Sequence, residues 1–426
     1  MSRSKKILQL VAVGALTALA LTGCSSGGDE PADTSTDAKG TIRVLVANFS
    51  ADKTGQAAFD KIVDIFHKSY PNIDVESDFV PYDALNQKIS TALAAGDNYD
   101  VISAGIGWVQ PLADLGAIQS LAPFGVTEDT LEKTVYPSFV APMLWDDEVY
   151  ALPVVANPRV LAYSKSAFEA AGLDPDKAPQ SFDQLREDAK KLTIRNDQGD
   201  ITQTGFDFWA PPSNYRQQFV TFLGAAGLNP FTDGEPTFNE PGGIEALQLM
   251  HDMITVDKSS TYGYQNSAKT ALVESGEAAM GFASPYVDCS ADGIGDKCDD
   301  LVYFNLKDER EVEYVGGRIA AVGDGSAFPD AALAMAEAFQ DPDVQIDISK
   351  MDVGVPVGID AGDSDFVNSN PATTFAWQNL DKGVFEYGGA TFLDFRAEFG
   401  PSLDQVILGQ ADAKETLDRL ADIARD

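Results

Sequence analysis

The chain has few of the side chains on which metal-dependent and nucleophilic enzymes rely. Its 426 residues include two histidines and three cysteines. Neither His67 nor His251 has a second histidine or a cysteine at the spacing of a zinc site. The sequence also lacks a Gly-x-Ser-x-Gly elbow, a Walker loop and a dinucleotide-binding glycine motif. We therefore expect no metal, no cofactor and no catalytic residue of these kinds.

Positive charge is also scarce. The chain has 30 lysines and arginines against 66 aspartates and glutamates, for a net charge of −36. Phosphates of nucleic acids and anionic lipids are bound by cations, so a surface this acidic repels both. The composition argues against nucleic-acid binding, and the 44% hydrophobic content is enough for two or three domain-sized cores.

Long apolar runs are missing except at residues 7–21, which follow three basic residues, Arg3, Lys5 and Lys6. This run is short for a bilayer span and is typical of a secretory signal. Residues 21–24 (LTGC) look like a bacterial lipobox, in which Cys24 would become the first mature residue and carry lipid. The alternative is an ordinary signal with an accidental cysteine. We predict a signal peptide over residues 1–23 and an extracytoplasmic protein, lipid-anchored to the cell membrane through Cys24.

Residues 24–40 contain no large apolar side chain and predict a flexible tether between the lipid and the folded body. Cys289 and Cys298 then remain as a pair in an oxidising compartment, which predicts a disulfide rather than two free thiols.

Alternating strands and helices predict an α/β fold. Alternation over residues 41–47 indicates a first strand, and Phe59, Ile62, Val63 and Phe66 recur at helical spacing behind it. Further strands are expected near residues 73–75, 100–103, 159–163, 205–208 and 278–282, and helices at 82–95, 182–192, 244–254 and 413–424. This order predicts layered helices around a mainly parallel sheet.

One acidic loop matches a calcium-binding pattern. Six residues fall at positions 1, 3, 5, 6, 9 and 12 of an EF-hand-like loop: Asp288, Ser290, Asp292, Gly293, Asp296 and Asp299. The last position lacks the usual glutamate, and the loop overlaps the predicted disulfide. We favour a solvated acidic turn over a calcium site.

Several segments in order resemble the extracellular solute-binding lipoproteins of ABC importers, in the family-1, maltose-binding-like group. These are residues 98–102 (NYDVI), 111–118 (PLADLGAI), 150–153 (YALP), 161–165 (LAYSK), 181–185 (SFDQL), 274–280 (ESGEAAM) and 314–317 (YVGG). The resemblance covers essentially all of residues 41–426.

The resemblance implies a two-lobed, periplasmic-binding-protein-like fold of type II, with a ligand cleft between hinge-connected lobes. By analogy, the N-terminal lobe would comprise residues 41–155 plus 316–362, and the C-terminal lobe residues 156–315 plus 363–426. It also implies a monomer that traps a carbohydrate by hinge closure and delivers it to the membrane permease of an ABC transporter.

A sugar site needs aromatic platforms for the apolar sugar faces and polar groups for the hydroxyls, in loops that follow strands. The predicted aromatic residues are Phe49, Trp108, Trp209 and Tyr286, and the polar ones are Asp83, Asn157, Arg159, Asp394 and Arg396. Related sugar binders place a stacking tryptophan where this chain has Tyr286. The alternatives are core packing for the aromatics, helix capping for Asp83 and a surface ion pair for Asp394 with Arg396.

Two other ligand or function classes remain open at this point. The same fold could bind a polyamine, a polyol phosphate or a metal chelate instead of a sugar. A secreted carbohydrate-active enzyme would need a specific pair of carboxylates, and with 66 acidic residues no pair stands out.

Overall fold

The structure is a computed structural model that describes residues 35–425, except residues 48, 233, 264–270, 291–293, 390 and 391. The side chains of Asp83 and Asp394 also lie outside the description. The predicted signal peptide, the lipidated Cys24, most of the tether and two positions of the acidic loop, Asp292 and Gly293, therefore fall outside the described residues.

The described residues alternate between strands and helices, as the sequence predicts. The strands are β1 (Gly40–Val46), β2 (Ile73–Phe79), β3 (Val101–Gly105), β4 (Leu144–Trp145), β5 (Glu148–Val149), β6 (Leu152–Ser164), β7 (Ile194–Arg195), β8 (Ile201–Asp207), β9 (Phe231–Thr232), β10 (Glu235–Pro236), β11 (Ala278–Ala283), β12 (Leu301–Phe304), β13 (Leu306–Lys307), β14 (Glu311–Val322), β15 (Val355–Pro356) and β16 (Gly383–Phe385).

The helices are α1 (Lys53–Phe66), α2 (Leu85–Ala95), α3 (Val109–Asp114), α4 (Glu128–Leu131), α5 (Lys165–Ala170), α6 (Phe182–Leu192), α7 (Arg216–Ala225), α8 (Pro241–His251), α9 (Leu272–Ser275), α10 (Pro329–Ala338), α11 (Pro342–Asp352), α12 (Ile359–Gly362), α13 (Asp365–Ser369), α14 (Pro371–Gln378), α15 (Phe392–Ile407) and α16 (Ala413–Arg425). Within the described residues, no helix is both long and apolar enough to cross a membrane.

Local sequence explains the predicted elements. Phe59, Ile62 and Phe66 form the buried face of α1, and Asp52 caps its first turn by accepting hydrogen bonds from two backbone N–H groups. Helix α6 begins after Ser181, whose hydroxyl accepts a hydrogen bond from the Gln184 backbone N–H at 3.2 Å. The side chain of Gln184 does not accept from the Ser181 backbone N–H, as it would in a capping box, but from the backbone N–H of Gln180.

The sheet is less parallel than the sequence suggests. Strands β2, β1 and β3 pair in parallel at one end, and β8 pairs in parallel with β11 at the other. Between them, the long strands β6 and β14 pair antiparallel with each other and with their neighbours β11 and β3. The reason is that β6 runs from one half of the molecule into the other and β14 runs back beside it.

Two hydrophobic cores lie at the two ends of this sheet. The first is built on β1, β3, α1 and α10, and the second on β8, α7, α8, α15 and α16. Strand β6 contributes to both, since Val155 lies in the first core and Tyr163 in the second. Strand β16, which pairs with β14, lies at a third passage between the cores: Leu380, just before it, belongs to the first core, and Val384 belongs to the second. The molecule therefore has two lobes connected by shared strands.

The two late cysteines lie together in the second half of the chain. The structure joins Cys289 to Cys298 by a disulfide with a Cα–Cα distance of 5.8 Å. The bond closes the acidic loop that leads from β11 to β12.

Candidate ligand-binding site

A cavity of about 160 Å³ lies between the two cores. On the side of the first core, the wall of the cavity consists of Tyr82 and of residues 105–108, at and after the end of β3. Strands β6 and β14 form the floor with Asn157, Arg159, Tyr314, Gly316, Gly317 and Arg318. The opposite wall comes from the second core, with Arg216 and Gln217 on α7, Glu386 after β16, and Phe392 and Arg396 on α15.

A second cavity of about 450 Å³ continues outward from the first. The two share Tyr82, Trp108, Arg216 and Arg396, so they form one cleft. Asn86, Ser213 and Asn214 add neutral polar groups to the outer part. We call the two cavities together the interlobe cleft.

Gly107 allows the two walls to meet closely. A Cβ atom at this position would lie 2.6 Å from the carbonyl oxygen of Glu386 and 2.7 Å from the ring of Phe392. Atoms at these distances overlap, so any larger residue would push the lobes apart. The glycine therefore fixes how closely the lobes approach at the cleft.

Arg318 is held by groups of the first lobe. Its Nε and Nη2 donate to the two carboxylate oxygens of Asp352 at 2.6 and 2.9 Å, and its guanidinium lies 4.3 Å from the centre of the Tyr82 ring. Burial alone would lower the pKa of Arg318, but Tyr82 and Asp352 raise it above its ordinary value. The backbone carbonyl of Asp352 also accepts from Asn157 Nδ2 at 3.2 Å, so these groups form one rigid set.

Arg216 and Glu386 form an ion pair on the opposite wall, and both side chains are almost completely buried, at 9% and 3% exposed. Burial lowers the pKa of Arg216 to about 10, and the positive charges of Arg396 and Arg159 act in the same direction. The guanidinium therefore stays charged at neutral pH, opposite a carboxylate that would be costly to leave unpaired.

Arg159 lies between these walls. Its Nε donates to Gln217 Oε1 at 2.8 Å, and its guanidinium lies 5.5 Å from the centre of the Trp209 ring. Trp209 has a φ of 45°, which is uncommon outside glycine. Its backbone N–H donates to Asp207 Oδ1 at 3.0 Å, so a buried carboxylate holds the turn that carries this ring.

A protein-family comparison identifies the chain. The model of the bacterial extracellular solute-binding protein family matches residues 50–346. The chain belongs to this family.

Known relatives of this solute-binding protein differ in sequence identity and in how much of the chain they match. A binding protein of Brucella abortus is 27% identical over 257 residues, or 58% of this chain and 59% of the relative. The sn-glycerol-3-phosphate-binding periplasmic protein UgpB of Yersinia enterocolitica is 30% identical over 134 residues, 31% of this chain and 30% of that protein. The match thus spans about three fifths of the Brucella relative and less of UgpB.

Among solved structures, maltose-bound MalE3 of T. maritima superimposes with a TM-score of 0.70 at 19% identity. The superposition covers 91% of this chain and 99% of that one. At this identity the likeness establishes the two-lobed fold of the solute-binding protein and leaves its ligand to be inferred from the cleft.

Four of the nine predicted ligand-binding residues line the interlobe cleft of the solute-binding protein: Trp108, Asn157, Arg159 and Arg396. Trp209 does not line the inner cavity itself but packs against Arg159, which does. Gly317 also lines the cavity, whereas Tyr215 is fully buried and accepts a hydrogen bond from the backbone N–H of Gly263.

Phe49 and Tyr286 lie elsewhere in this structure. Phe49 is 7% exposed and packs on Phe59 and Phe339 in the first core. Tyr286 stacks on Phe366 at 5.7 Å between ring centres, outside the residues that line the cleft. In both cases an apolar neighbour covers the ring. The side chains of Asp83 and Asp394 lie outside the description, although the backbone of Asp394 belongs to α15.

Sequence reasoning missed several lining residues, of which Tyr82, Arg216, Arg318, Asp352 and Glu386 are the most polar or aromatic. Arg318 directly follows the 314–317 segment of the resemblance and was the most accessible to prediction. Tyr82 begins a helix that the sequence predicts but was not chosen as a ligand residue. Arg216, Asp352 and Glu386 come from segments without a recognisable local pattern and meet only in the folded protein.

Proposed function

We propose that the protein captures a carbohydrate in the interlobe cleft and delivers it to an ABC permease. The observation that carries this proposal is the pairing of aromatic rings with polar groups in one cleft between two lobes. Trp108 and Tyr82 are in edge-to-face contact, 6.3 Å apart, and both line the cavity beside Asn157 and the arginines. Rings of this kind pack on the apolar faces of sugars, and the polar groups bind hydroxyls.

The family and the fold support this proposal. A two-lobed protein with its ligand between the lobes can close around it by bending the shared strands. T. maritima MalE3, which shares the fold, was solved with maltose bound. We propose further that Cys24 carries lipid that keeps the protein at the cell membrane and that the protein acts as a monomer. We also propose lobes of residues 41–155 with 316–362 and of residues 156–315 with 363–426, with the last boundary moved to between Leu380 and Val384, because Leu380 packs in the first core and Val384 in the second.

Two alternatives from the sequence fit the cleft less well. A polyamine would face four guanidinium groups, which repel a polycation. A carbohydrate-active enzyme would need available carboxylates, but both described carboxylates of the lining are bound to arginines, Asp352 to Arg318 and Glu386 to Arg216.

The test is isothermal titration calorimetry of the purified protein against mono- and oligosaccharides, with polyamines as a second panel. We expect one sugar family to bind with a stoichiometry of one per chain and to be recovered chemically unchanged. Binding of a polyamine without any sugar, or release of hydrolysis products, would overturn the proposal.

A further inference from the structure

The cleft differs in charge from the rest of the molecule. Acidic residues outnumber basic ones by 66 to 30 over the whole chain. Among the described side chains that line the inner cavity, four arginines face two carboxylates. A concentration of positive charge in one cleft of such an acidic protein favours ligands of negative charge.

Arg396 differs from the other three arginines. Arg318 and Arg216 form ion pairs with carboxylates, and Arg159 donates to Gln217. Arg396 is half-buried on α15, and no carboxylate or amide among the described side chains forms an ion pair or hydrogen bond with it. It lines both the inner and the outer part of the cleft.

Arg396 also lies close enough to Arg216 for their charges to repel. The pKa of Arg216 is lowered mainly by burial, and the positive charge of Arg396 is the next largest cause. The Glu386 carboxylate is buried in its ion pair with Arg216, and no carboxylate of a described side chain forms an ion pair with Arg396. An anion placed beside Arg396 would relieve this repulsion and gain charge-assisted hydrogen bonds.

We propose that the ligand carries an anionic group, a carboxylate or a phosphate on a sugar or polyol, and that Arg396 binds this group beside Arg216. The inference rests on the proposed function, because it places the sugar ring against Trp108 and Tyr82 in the inner cleft. The anionic group then lies toward the outer cleft, where Ser213 and Asn214 add neutral hydrogen-bonding groups. The similarity to UgpB is consistent with a ligand of this kind.

The experiment compares matched neutral and charged probes by calorimetry on the purified protein. The probes are glucose, glucuronate and glucose 6-phosphate, galactose and galacturonate, and glycerol and glycerol 3-phosphate. We expect a charged member of at least one set to bind about ten- to a hundredfold more tightly than its neutral counterpart. The carboxylate and phosphate members identify which anion the cleft accepts.

Two variants test the role of Arg396. Arg396→Gln removes the charge and should abolish most of the preference for the charged probe over its neutral counterpart. Arg425→Gln is the matched control, because it makes the same change in net charge at an exposed residue paired with Glu235 and Asp422. It should bind every probe as the unmodified protein does.

The outcomes separate this inference from the proposed function. Tight binding of a neutral sugar, with weaker or equal binding of its acid and phosphate, would overturn the inference and leave carbohydrate capture intact. An undiminished preference for the charged probe in Arg396→Gln would also overturn it. If none of these probes binds but a neutral oligosaccharide does, the inference fails and carbohydrate capture stands.

Discussion

At the scale of single residues, the cleft depends on aromatic side chains whose roles differ with their neighbours. Trp108 and Tyr286 were both expected to stack on the ligand, since each follows a strand. In the structure Trp108 lines the cleft beside Tyr82, whereas Phe366 covers Tyr286. The sequence shows which rings follow a strand. It does not show which residue from a distant segment packs over each ring.

The first prediction compares these two rings. Trp108→Ala should weaken ligand binding by ~1–3 kcal/mol, because it removes a buried aromatic contact in the cleft. Tyr286→Ala should change affinity little, since its ring packs on Phe366 outside the cleft. Calorimetry with the tightest-binding ligand measures both, with circular dichroism to verify folding. A loss of affinity in Tyr286→Ala but not in Trp108→Ala would reverse the assignment.

Asp207 provides a second prediction, in pH dependence. Burial raises the pKa of Asp207 to about 6. The hydrogen bonds that its carboxylate accepts from the backbone N–H groups of Leu272 and Trp209 lower the pKa in part, and the negative charge of Glu277 raises it further. In the unfolded chain the pKa is about 4, so between pH 4 and 6 the folded protein binds more protons than the unfolded one. The contribution of Asp207 to stability is therefore highest below about pH 4 and falls as pH rises through 6, by about 3 kcal/mol.

The matched variant for this prediction is Asp207→Asn, which cannot titrate. Urea unfolding between pH 4 and 7 should show the free energy of unfolding of the unmodified protein falling relative to that of the variant as pH rises. Parallel curves over this range would mean that Asp207 keeps an ordinary pKa. Because Asp207 holds the turn of Trp209, the variant should also weaken the packing of Trp209 on Arg159.

At the scale of elements, amphipathic helices and alternating strands were predictable, and fully buried helices were not. Helix α1 shows a clear apolar face in the sequence. Helix α7 is buried from Arg216 to Ala225 except at Gln217, so its residues show no helical alternation of apolar and polar positions. Helix α15 contains Pro401, which argues against a helix in sequence. Helix α7 carries Arg216 and Gln217, and α15 carries Phe392. This explains why these lining residues of the second wall were missed, although Arg396 on α15 was predicted.

The disulfide belongs to the loop between β11 and β12. Replacing both Cys289 and Cys298 by serine should lower the free energy of unfolding by ~2–3 kcal/mol, since a short closed loop is released in the unfolded chain. Ligand affinity should stay the same, because neither cysteine lines the cleft. Thermal unfolding under non-reducing conditions tests the first part, and an unchanged melting temperature would contradict it.

At the scale of the whole molecule, the order of motifs indicated a two-lobed binding protein, but the sequence pattern overestimated the parallel pairing of its sheet. The difference arises because β6 and β14 cross between the lobes in opposite directions. Their residues serve two cores at once, so hydrophobic alternation alone does not reveal the crossing.

Closure of the lobes gives a prediction at this scale. Gly107→Ala should hold the walls apart, because the added Cβ would overlap with Glu386 and Phe392. We expect ligand to reduce the radius of gyration of the unmodified protein in small-angle X-ray scattering, and to reduce it less in the variant, with weaker binding. Gly96→Ala serves as a control substitution, since no atom of the described residues lies within 4 Å of its Cβ position, although its positive φ costs some stability. Equal compaction and affinity in Gly107→Ala would show that this contact does not limit closure.

The most direct test of carbohydrate capture between the lobes is a crystal structure of the protein with its tightest-binding sugar. The account predicts that the ligand occupies the interlobe cleft, with its ring against Trp108 and its polar groups within hydrogen-bond distance of Asn157 or the cleft arginines. A ligand bound elsewhere on either lobe, with the cleft filled only by solvent, would contradict it.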